Sequence, residues 1–232
     1  MQRSLDKEMM DLPGISESLL EEDLTNLRTI NRYLGAYRGL LRCLDGLAKS
    51  NGTKTLSLLD VGTGTADMLV EVIRWARKNE ISANAVGLES NPITARLARV
   101  HTEDVPEISI VVGDAFCPPF PPASFDFVFS SQILHHFSEA EIIELLNTWS
   151  GFARCGILVS DLVRHPLAYL GIGVLTRLFT RNPMTLMDAP LSVRRAFTIR
   201  EWQNLFKQAT VNPVEFHQLF PFRIFARLEL RK

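Results

Sequence analysis

The sequence has little that would mark a secreted, zinc-binding or nucleic-acid-binding protein. Its three cysteines, Cys43, Cys117 and Cys155, share no C-x-x-C spacing. This pattern indicates a reducing compartment, with neither a disulfide framework nor a cysteine-bound zinc site. The 25 basic and 26 acidic residues leave a formal net charge of −1. Because no basic excess is available to hold a phosphate backbone, tRNA, rRNA and DNA are disfavoured as substrates.

Long apolar runs are also missing. No stretch reaches the ~18 consecutive apolar residues that a membrane-spanning helix requires. The first 11 residues are charged and have no apolar centre, so they are not typical of a signal peptide. We therefore expect a cytoplasmic protein with no stable membrane insertion. A length of 232 residues is enough for one α/β domain with a buried core.

The most informative segment present is a glycine turn between an apolar run and an amphipathic one. Leu56–Leu59 predicts a buried strand, and the segment 68–78 predicts a helix. Asp60, Gly62 and Gly64 lie between them. Strand, glycine turn and helix in this order are how an α/β sheet presents its backbone to a nucleotide-like ligand, because glycine lacks the Cβ that would block close approach.

The residue types in this turn favour one class of ligand. A dinucleotide site needs G-x-G-x-x-G, but Asp67 stands where the third glycine belongs, and a carboxylate there would repel a pyrophosphate. S-adenosylmethionine carries an ammonium and a sulfonium and no phosphate, and it suits the acid at Asp60. The turn resembles motif I of the class I S-adenosylmethionine-dependent methyltransferases, with Ala66 in place of that motif's usual third glycine. The competing hypothesis, an NAD-dependent oxidoreductase, is disfavoured by Asp67 and by the lack of a Tyr-x-x-x-Lys pair.

Three further strand-like runs end in polar residues. Val86–Glu89 ends in an acid that can accept hydrogen bonds from both ribose hydroxyls. Residues 108–116 end in Gly-Asp-Ala, and the resemblance implies that Asp114 reaches the adenine amino group. Residues 125–132 resemble the family's fourth-strand segment. The predicted cofactor-binding residues are Asp60, Gly62, Thr63, Gly64, Glu89, Ser90, Asp114, Ala115, Ser131 and Gln132.

The resemblance implies an α/β fold. It is a Rossmann-like, seven-stranded, mostly parallel sheet with an antiparallel last strand and helices on both faces. Helical spacing of leucines over residues 17–47 predicts helices, which in this family often form a lid, so we expect an N-terminal helical lid over residues 1–50 and a methyltransferase domain over 51–232. A helical insertion is expected after the fifth strand, Gly156–Asp161, at about 162–197. We favour a substrate cap for this insertion, because long insertions in compact domains tend to be functional.

The proposed chemistry needs few catalytic groups. Methyl transfer from a sulfonium depends mostly on positioning, and a hydroxyl acceptor also benefits from a base. His135 and His136 follow the fourth strand, and we prefer His136 as that base; the alternative is that both imidazoles are structural. Asp161 is expected to contact substrate or to cap a local element. No Asp-Asn pair accompanies it, so the sequence predicts no metal site.

The insertion and the lid supply the candidate substrate residues, Tyr33, Arg164, Arg181 and Arg195. A solvated arginine face is the alternative. Together these features resemble small-molecule methyltransferases, so the expected acceptor is a small, largely apolar molecule such as a phenol, a quinone precursor or a polyketide, with O-methylation favoured over C-methylation. A second hypothesis is a non-catalytic partner or sensor that only binds cofactor. A monomer or a homodimer is expected, and peripheral membrane contact through residues 167–175 stays open.

Overall fold

The computed structural model describes residues 1–12, 14–51, 54–209 and 211–230. Short 3-10 helices cover Met9–Asp11 and Leu134–His136. The strands are β1 (Thr55–Val61), β2 (Ser82–Glu89), β3 (Ile108–Val112), β4 (Phe125–Ser131), β5 (Ala153–Leu162), β6 (Val211–Leu219) and β7 (Arg223–Leu230). The longer helices are α1 (Glu17–Tyr33), α2 (Ala36–Asn51), α3 (Asp67–Lys78), α4 (Pro92–His101), α5 (Glu139–Ser150), α6 (Pro166–Phe179), α7 (Pro183–Arg195) and α8 (Ile199–Gln208).

All seven strands form one sheet in the order β3-β2-β1-β4-β5-β7-β6. β7 runs antiparallel to both β5 and β6, and the remaining neighbours pair in parallel. The predicted seven-stranded, mostly parallel sheet with an antiparallel last strand is therefore confirmed. The expected boundary at residue 51 falls at the end of α2, and Gly52 and Thr53 beside it lie outside the described residues.

Helices cover both faces of the sheet, as expected. On one face α5 and α8 bury Trp149, Trp202 and Phe206. On the other face α2 and α3 bury Leu40 and Ile73, among others. Because the central strands are covered on both sides, they consist of nearly continuous apolar runs rather than alternating ones. This burial fixes the position of the polar residues at their carboxyl ends.

The N-terminal helices and the insertion pack against each other. The Asn26 amide of α1 donates to the hydroxyls of Thr180 and Thr185, both at 3.0 Å. The Thr185 hydroxyl donates to Asp23 Oδ1 at 2.6 Å, and burial raises the pKa of Asp23 to about 6. The Asn182 amide donates to the Leu19 carbonyl oxygen at 3.1 Å. Two segments far apart in sequence thus form one helical layer, which we call the cap (residues 1–12, 14–34 and 164–197).

The extended N-terminal segment, residues 1–12, lies along α7. The amides of Met9 and Met10 donate to the Asp188 carboxylate at 2.8 and 3.0 Å. The Ser4 amide donates to the Arg194 carbonyl oxygen at 3.0 Å. These backbone contacts hold the segment in a single register on the cap.

The outer face of α6 carries exposed apolar side chains at helical spacing: Leu167, Leu170, Val174 and Leu178. Over the part of the chain that the structure describes, none of the helices has the length and apolarity needed to cross a membrane.

Two glycines of α2 provide a matched test of its packing. A Cβ on Gly39 would lie 2.8 Å from side-chain carbons of both Leu219 and Phe225, whereas a Cβ on Gly46 would meet none of the described atoms within 4 Å. We expect Gly39→Ala to lower the free energy of unfolding by about 1–2 kcal/mol through overpacking. Gly46→Ala should raise it by about 0.5–1 kcal/mol through helix propensity. Urea denaturation of both variants measures the difference, and a change of the same sign in both would contradict this packing.

Candidate active site

The strand order brings the predicted motifs side by side at one edge of the sheet. Parallel strands present their carboxyl ends together, so Asp114 after β3, Glu89 at the end of β2, Asp60 near the end of β1 and Ser131 at the end of β4 lie in that spatial order. This is the edge at which open α/β sheets bind their ligands.

The glycine turn after β1 is held against the end of β2. The amides of Gly62 and Thr63 both donate to the Leu88 carbonyl oxygen, at 2.8 and 3.1 Å. Gly62 has φ +69°, and a Cβ there would collide with the side chain of Ile133. The turn therefore requires glycine both for its left-handed backbone and for space.

Glu89 is the predicted ribose acceptor. Its Oε2 accepts the Gly64 amide at 3.0 Å, and its Oε1 accepts the Asn91 amide at 3.0 Å. Burial raises the pKa of Glu89, although these amide bonds act in the opposite direction. A carboxylate has about four lone-pair sites. The backbone and side chain of Ser90 also act on this carboxylate, and the contact of Glu89 with ribose hydroxyls stays a prediction.

Asp60 is almost fully buried, and its Oδ2 accepts the Thr63 hydroxyl at 2.8 Å. Its Oδ1 has no hydrogen-bond partner among the described residues. Burial raises its pKa to about 8, and the negative charges of Asp67 and Glu89 act in the same direction. A cationic ligand at this edge would relieve that electrostatic cost, so the site fits the ammonium and sulfonium charges of S-adenosylmethionine.

Further buried oxygens without a partner lie at the ends of β4 and β5. They are the hydroxyls of Ser130, Ser131 and Ser160 and Oδ2 of Asp161, judged against the residues that the structure describes. Ser131 and Ser160 are register partners in the sheet. Buried polar groups normally have hydrogen-bond partners, so ordered water or a ligand is expected to supply them here.

The remaining predicted cofactor residues lie along the same edge. Asp114 is exposed, and its Oδ1 accepts the Phe116 amide at 2.9 Å. The Ala115 carbonyl oxygen accepts the indole N–H of Trp149 at 2.9 Å. Ser90 is exposed next to Glu89. Their contact with cofactor stays a prediction.

Gln132 joins the sheet edge to the cap. It has φ +56°, and its side-chain amide donates to Asn31 Oδ1 of α1 at 2.7 Å. The same oxygen accepts a bond from Arg223 Nη2 at 3.2 Å. Burial lowers the pKa of Arg223 to about 10. Helix α1 is therefore tied directly to the residue that follows β4.

The two histidines occupy the 3-10 helix after β4, and a carboxylate holds each of them. His135 Nδ1 lies 2.7 Å from Asp161 Oδ1, and His136 Nδ1 lies 2.9 Å from Asp11 Oδ2. Asp161 thus lies in β5, where its Oδ1 faces His135 and also accepts the Leu162 amide at 2.6 Å, and its contact with substrate stays a prediction. Burial acts to lower the pKa of His135, but Asp161 and Glu8 outweigh it and raise that pKa to about 9.

The N-terminal segment completes this group. Glu8 Oε1 lies 3.7 Å from Nε2 of His135 and 3.7 Å from Nε2 of His136. Burial acts to raise the pKa of Glu8, but the two histidines and a bond from Ser192 lower it below its ordinary value. We call Glu8, Asp11, His135, His136 and Asp161 the histidine cluster.

The four predicted substrate residues do not come together. Tyr33 is 78% exposed, and Arg181 is also exposed. Arg164 forms a bidentate pair with Glu201 at 2.7 and 2.9 Å. Arg195 is buried beside the histidine cluster, where it donates to the carbonyl oxygens of Asp6 and His136 at 2.6 and 2.8 Å. Arg195 is the member of this set that lies closest to the histidines, and the substrate roles of all four stay predictions.

Sequence reasoning missed Glu8, Asp11 and Arg3. The Arg3 guanidinium donates to the carbonyl oxygens of His135 and Phe137, at 3.1 and 2.7 Å. A separation of 125 residues lies between Asp11 and His136, and no motif spacing connects them. The sequence shows that the N-terminal segment is charged, but only tertiary contacts determine where on the cap this segment binds.

Comparison with known proteins agrees with this geometry. Residues 58–156 match the family model described as a methyltransferase domain. An uncharacterized methyltransferase of Bacillus subtilis (strain 168) is 28% identical over 110 residues, which are 47% of this chain and 46% of that protein. The match therefore spans less than half the length of that relative.

Two solved structures share the fold over 94% of this chain. A SAM-dependent methyltransferase from Aquifex aeolicus aligns over 100% of its own length, with a TM-score of 0.64 and 12% identity. Human N-acetylserotonin methyltransferase in complex with SAM aligns over 57% of its length, with a TM-score of 0.68 and 18% identity. The match over residues 58–156, the sheet topology and the glycine turn after β1 together confirm the resemblance to the class I S-adenosylmethionine-dependent methyltransferases.

Proposed function

We propose that the chain transfers a methyl group from S-adenosylmethionine to oxygen of a small, largely apolar acceptor such as a phenol, a quinone precursor or a polyketide. Two observations together carry this proposal. Buried oxygens without a described hydrogen-bond partner lie at the ends of β1, β4 and β5, and the two histidines after β4 are each held by a carboxylate. S-adenosylmethionine supplies the electrophilic methyl group when bound. Asp60, Gly62, Gly64 and Glu89 are the residues that would hold it.

The histidine cluster supports oxygen as the methylated atom. A hydroxyl must lose a proton during transfer, and a positioned imidazole is the side chain best suited to receive it near neutral pH. Because each Nδ1 faces a carboxylate, which only accepts hydrogen bonds, Nε2 is the atom left to take the proton. The His136 side chain is 16% exposed and the His135 side chain 2%. We therefore assign His136 as the base and His135 as the residue that positions it.

The cap supports an apolar acceptor. Met9 and Met10, next to Glu8, pack with Leu20, Leu24 and Met184 in a cluster between the N-terminal segment, α1 and α7. Leu20, Leu24 and Met184 are buried and pack on one another as core, so this cluster makes the cap beside Glu8 apolar without itself lining a cavity. The formal charge of −1 is consistent with an acceptor other than nucleic acid.

The first prediction concerns the buried carboxylate of Asp60. Its folded-state pKa of about 8 lies above the ordinary value of 3.8, so the folded protein retains a proton that the unfolded chain releases. This contribution to stability is complete below about pH 4 and is lost as the pH rises through about 8. In cofactor-free protein, Asp60→Asn should therefore raise the free energy of unfolding by about 1–3 kcal/mol at pH 8 and by little at pH 4. Urea titrations at both pH values measure this, and an effect independent of pH would contradict it.

The second prediction concerns cofactor recognition. Isothermal titration should show binding of S-adenosylmethionine and S-adenosylhomocysteine. Glu89→Gln should weaken the affinity for both at least tenfold, because it replaces a charged carboxylate, which only accepts hydrogen bonds, by a neutral amide with one acceptor oxygen. Asp126→Asn, at the opposite end of β4, is the matched control and should leave the affinity unchanged. Binding of NAD alone would overturn the cofactor assignment.

The acceptor class is tested with radiolabelled methyl donor. Extracts rich in phenols, quinone precursors or polyketides should accept label, whereas tRNA and protein extracts should not. Labelling of tRNA or protein alone would refute the proposed acceptor. Cofactor binding without transfer to any extract would favour the non-catalytic alternative.

The third prediction concerns the base. With an acceptor in hand and EDTA present, His136→Ala should lower kcat by about 10²–10⁴-fold, as loss of a general base does, with little change in the Kd for S-adenosylmethionine. His217→Ala, an exposed histidine of β6, is the matched control. Unchanged turnover in His136→Ala and in His135→Ala would remove the base assignment.

A further inference from the structure

The histidine cluster has a feature that proton transfer alone does not require. Glu8 Oε1 lies 3.7 Å from Nε2 of both His135 and His136, and one potential ligand atom from each of these three residues lies within 4.8 Å of the other two. Nε2 of His135 is buried and has no hydrogen-bond partner within the described ranges.

The outer nitrogens of both rings are already oriented. Asp161 accepts from Nδ1 of His135 and Asp11 from Nδ1 of His136, at 2.7 and 2.9 Å. When Nδ1 carries the only proton of each ring, Nε2 is the atom that can ligate an ion, and in both histidines it lies 3.7 Å from Glu8 Oε1. Histidines that ligate metal ions almost always donate their second N–H to a carboxylate, a carbonyl or water. Both histidines here have that arrangement.

We propose that Glu8, His135 and His136 form a binding site for one divalent first-row transition ion such as Zn²⁺. Two imidazoles and one carboxylate are a recurrent three-ligand set that leaves coordination positions open. Ligands about 2.1 Å from a tetrahedral ion lie roughly 3.4 Å apart. The 3.7 Å separations between Glu8 Oε1 and each Nε2 need only a small contraction to reach that geometry.

The surroundings hold the carboxylate ligand in place. The Ser192 hydroxyl donates to Glu8 Oε1 at 2.9 Å, and Asp188 fixes the amides that follow Glu8. Arg195 lies 3.8 Å from both Glu8 Oε1 and Asp11 Oδ2. A bound ion would therefore lie near the positive charge of Arg195. The carboxylates of Asp11 and Asp161 offset the charge of this arginine.

The site has a consequence that rests on the proposed function. A dication at this position would lower the pKa of an acceptor hydroxyl bound to it, so that the hydroxyl would release its proton to solvent water without a free imidazole as base. The histidines would then act as ligands in the loaded protein and as bases only in the metal-free protein. Metal binding itself is independent of whether methyl transfer occurs.

The test is metal binding by the full chain after treatment with EDTA. Titration with Co²⁺ should give one equivalent bound, with visible absorption bands of nitrogen and oxygen ligation and without a thiolate charge-transfer band. Zn²⁺ should displace the Co²⁺. The absence of a thiolate band separates this site from the exposed thiols of Cys117 and Cys155.

Variants locate the ion. Glu8→Gln and His136→Ala should each weaken Co²⁺ binding at least tenfold, and Asp11→Asn should weaken it about 10–100-fold as loss of an outer-shell partner does. His217→Ala should bind like the wild type, and circular dichroism verifies that each variant is folded. The site would be overturned if the wild type failed to bind one equivalent of Co²⁺, or if Glu8→Gln and His136→Ala both bound Co²⁺ with wild-type affinity. Methyl transfer assayed in EDTA would still test the proposed function separately.

Discussion

The amide hydrogen bonds that hold the β1 turn against β2 are the constraint on which the cofactor edge depends. The amides of Gly62 and Thr63 bind the Leu88 carbonyl oxygen, and the next amide, of Gly64, binds the Glu89 carboxylate. These bonds fix the turn and the acidic end of β2 as one unit. Asp60 is buried beneath this turn. One of its carboxylate oxygens accepts the Thr63 hydroxyl, and the other has no partner in the described residues. Burying the Asp60 carboxyl in this way costs electrostatic free energy, and such a cost is typical of functional sites, where stability is given up for ligand binding.

Hydrogen bonds and ion pairs also join the carboxyl edge of the sheet to the cap. Asn31 of α1 binds both Gln132 and Arg223, while Asp11 and Glu8 face the histidines that follow β4. The cap thus contributes acidic and amide groups to the same edge that the sheet supplies with histidines and hydroxyls. This arrangement makes the N-terminal segment part of the candidate active site, because it places its carboxylates next to the imidazoles.

Local sequence patterns predicted much of the fold. The run before Asp60 and the segment 68–78 correspond to β1 and α3, and the break at Gly35 separates α1 from α2. Strand ends were less predictable: β3 stops at Val112, so Gly113 and Asp114 lie in the following loop. Apolar periodicity reports which residues are buried, and it says little about where a ladder of backbone hydrogen bonds ends.

By itself, the sequence determined the glycine turn, the acids at the ends of β1 and β2, and the presence of two adjacent histidines after β4. Each of these depends on residues within a few positions of one another, so local conformation is sufficient to specify them. Only the tertiary structure decided that Glu8 and Asp11 meet those histidines, that Asp161 orients His135, and that Arg164 pairs with Glu201. These contacts arise when separate segments bury shared surface, and that packing leaves no fixed spacing along the chain.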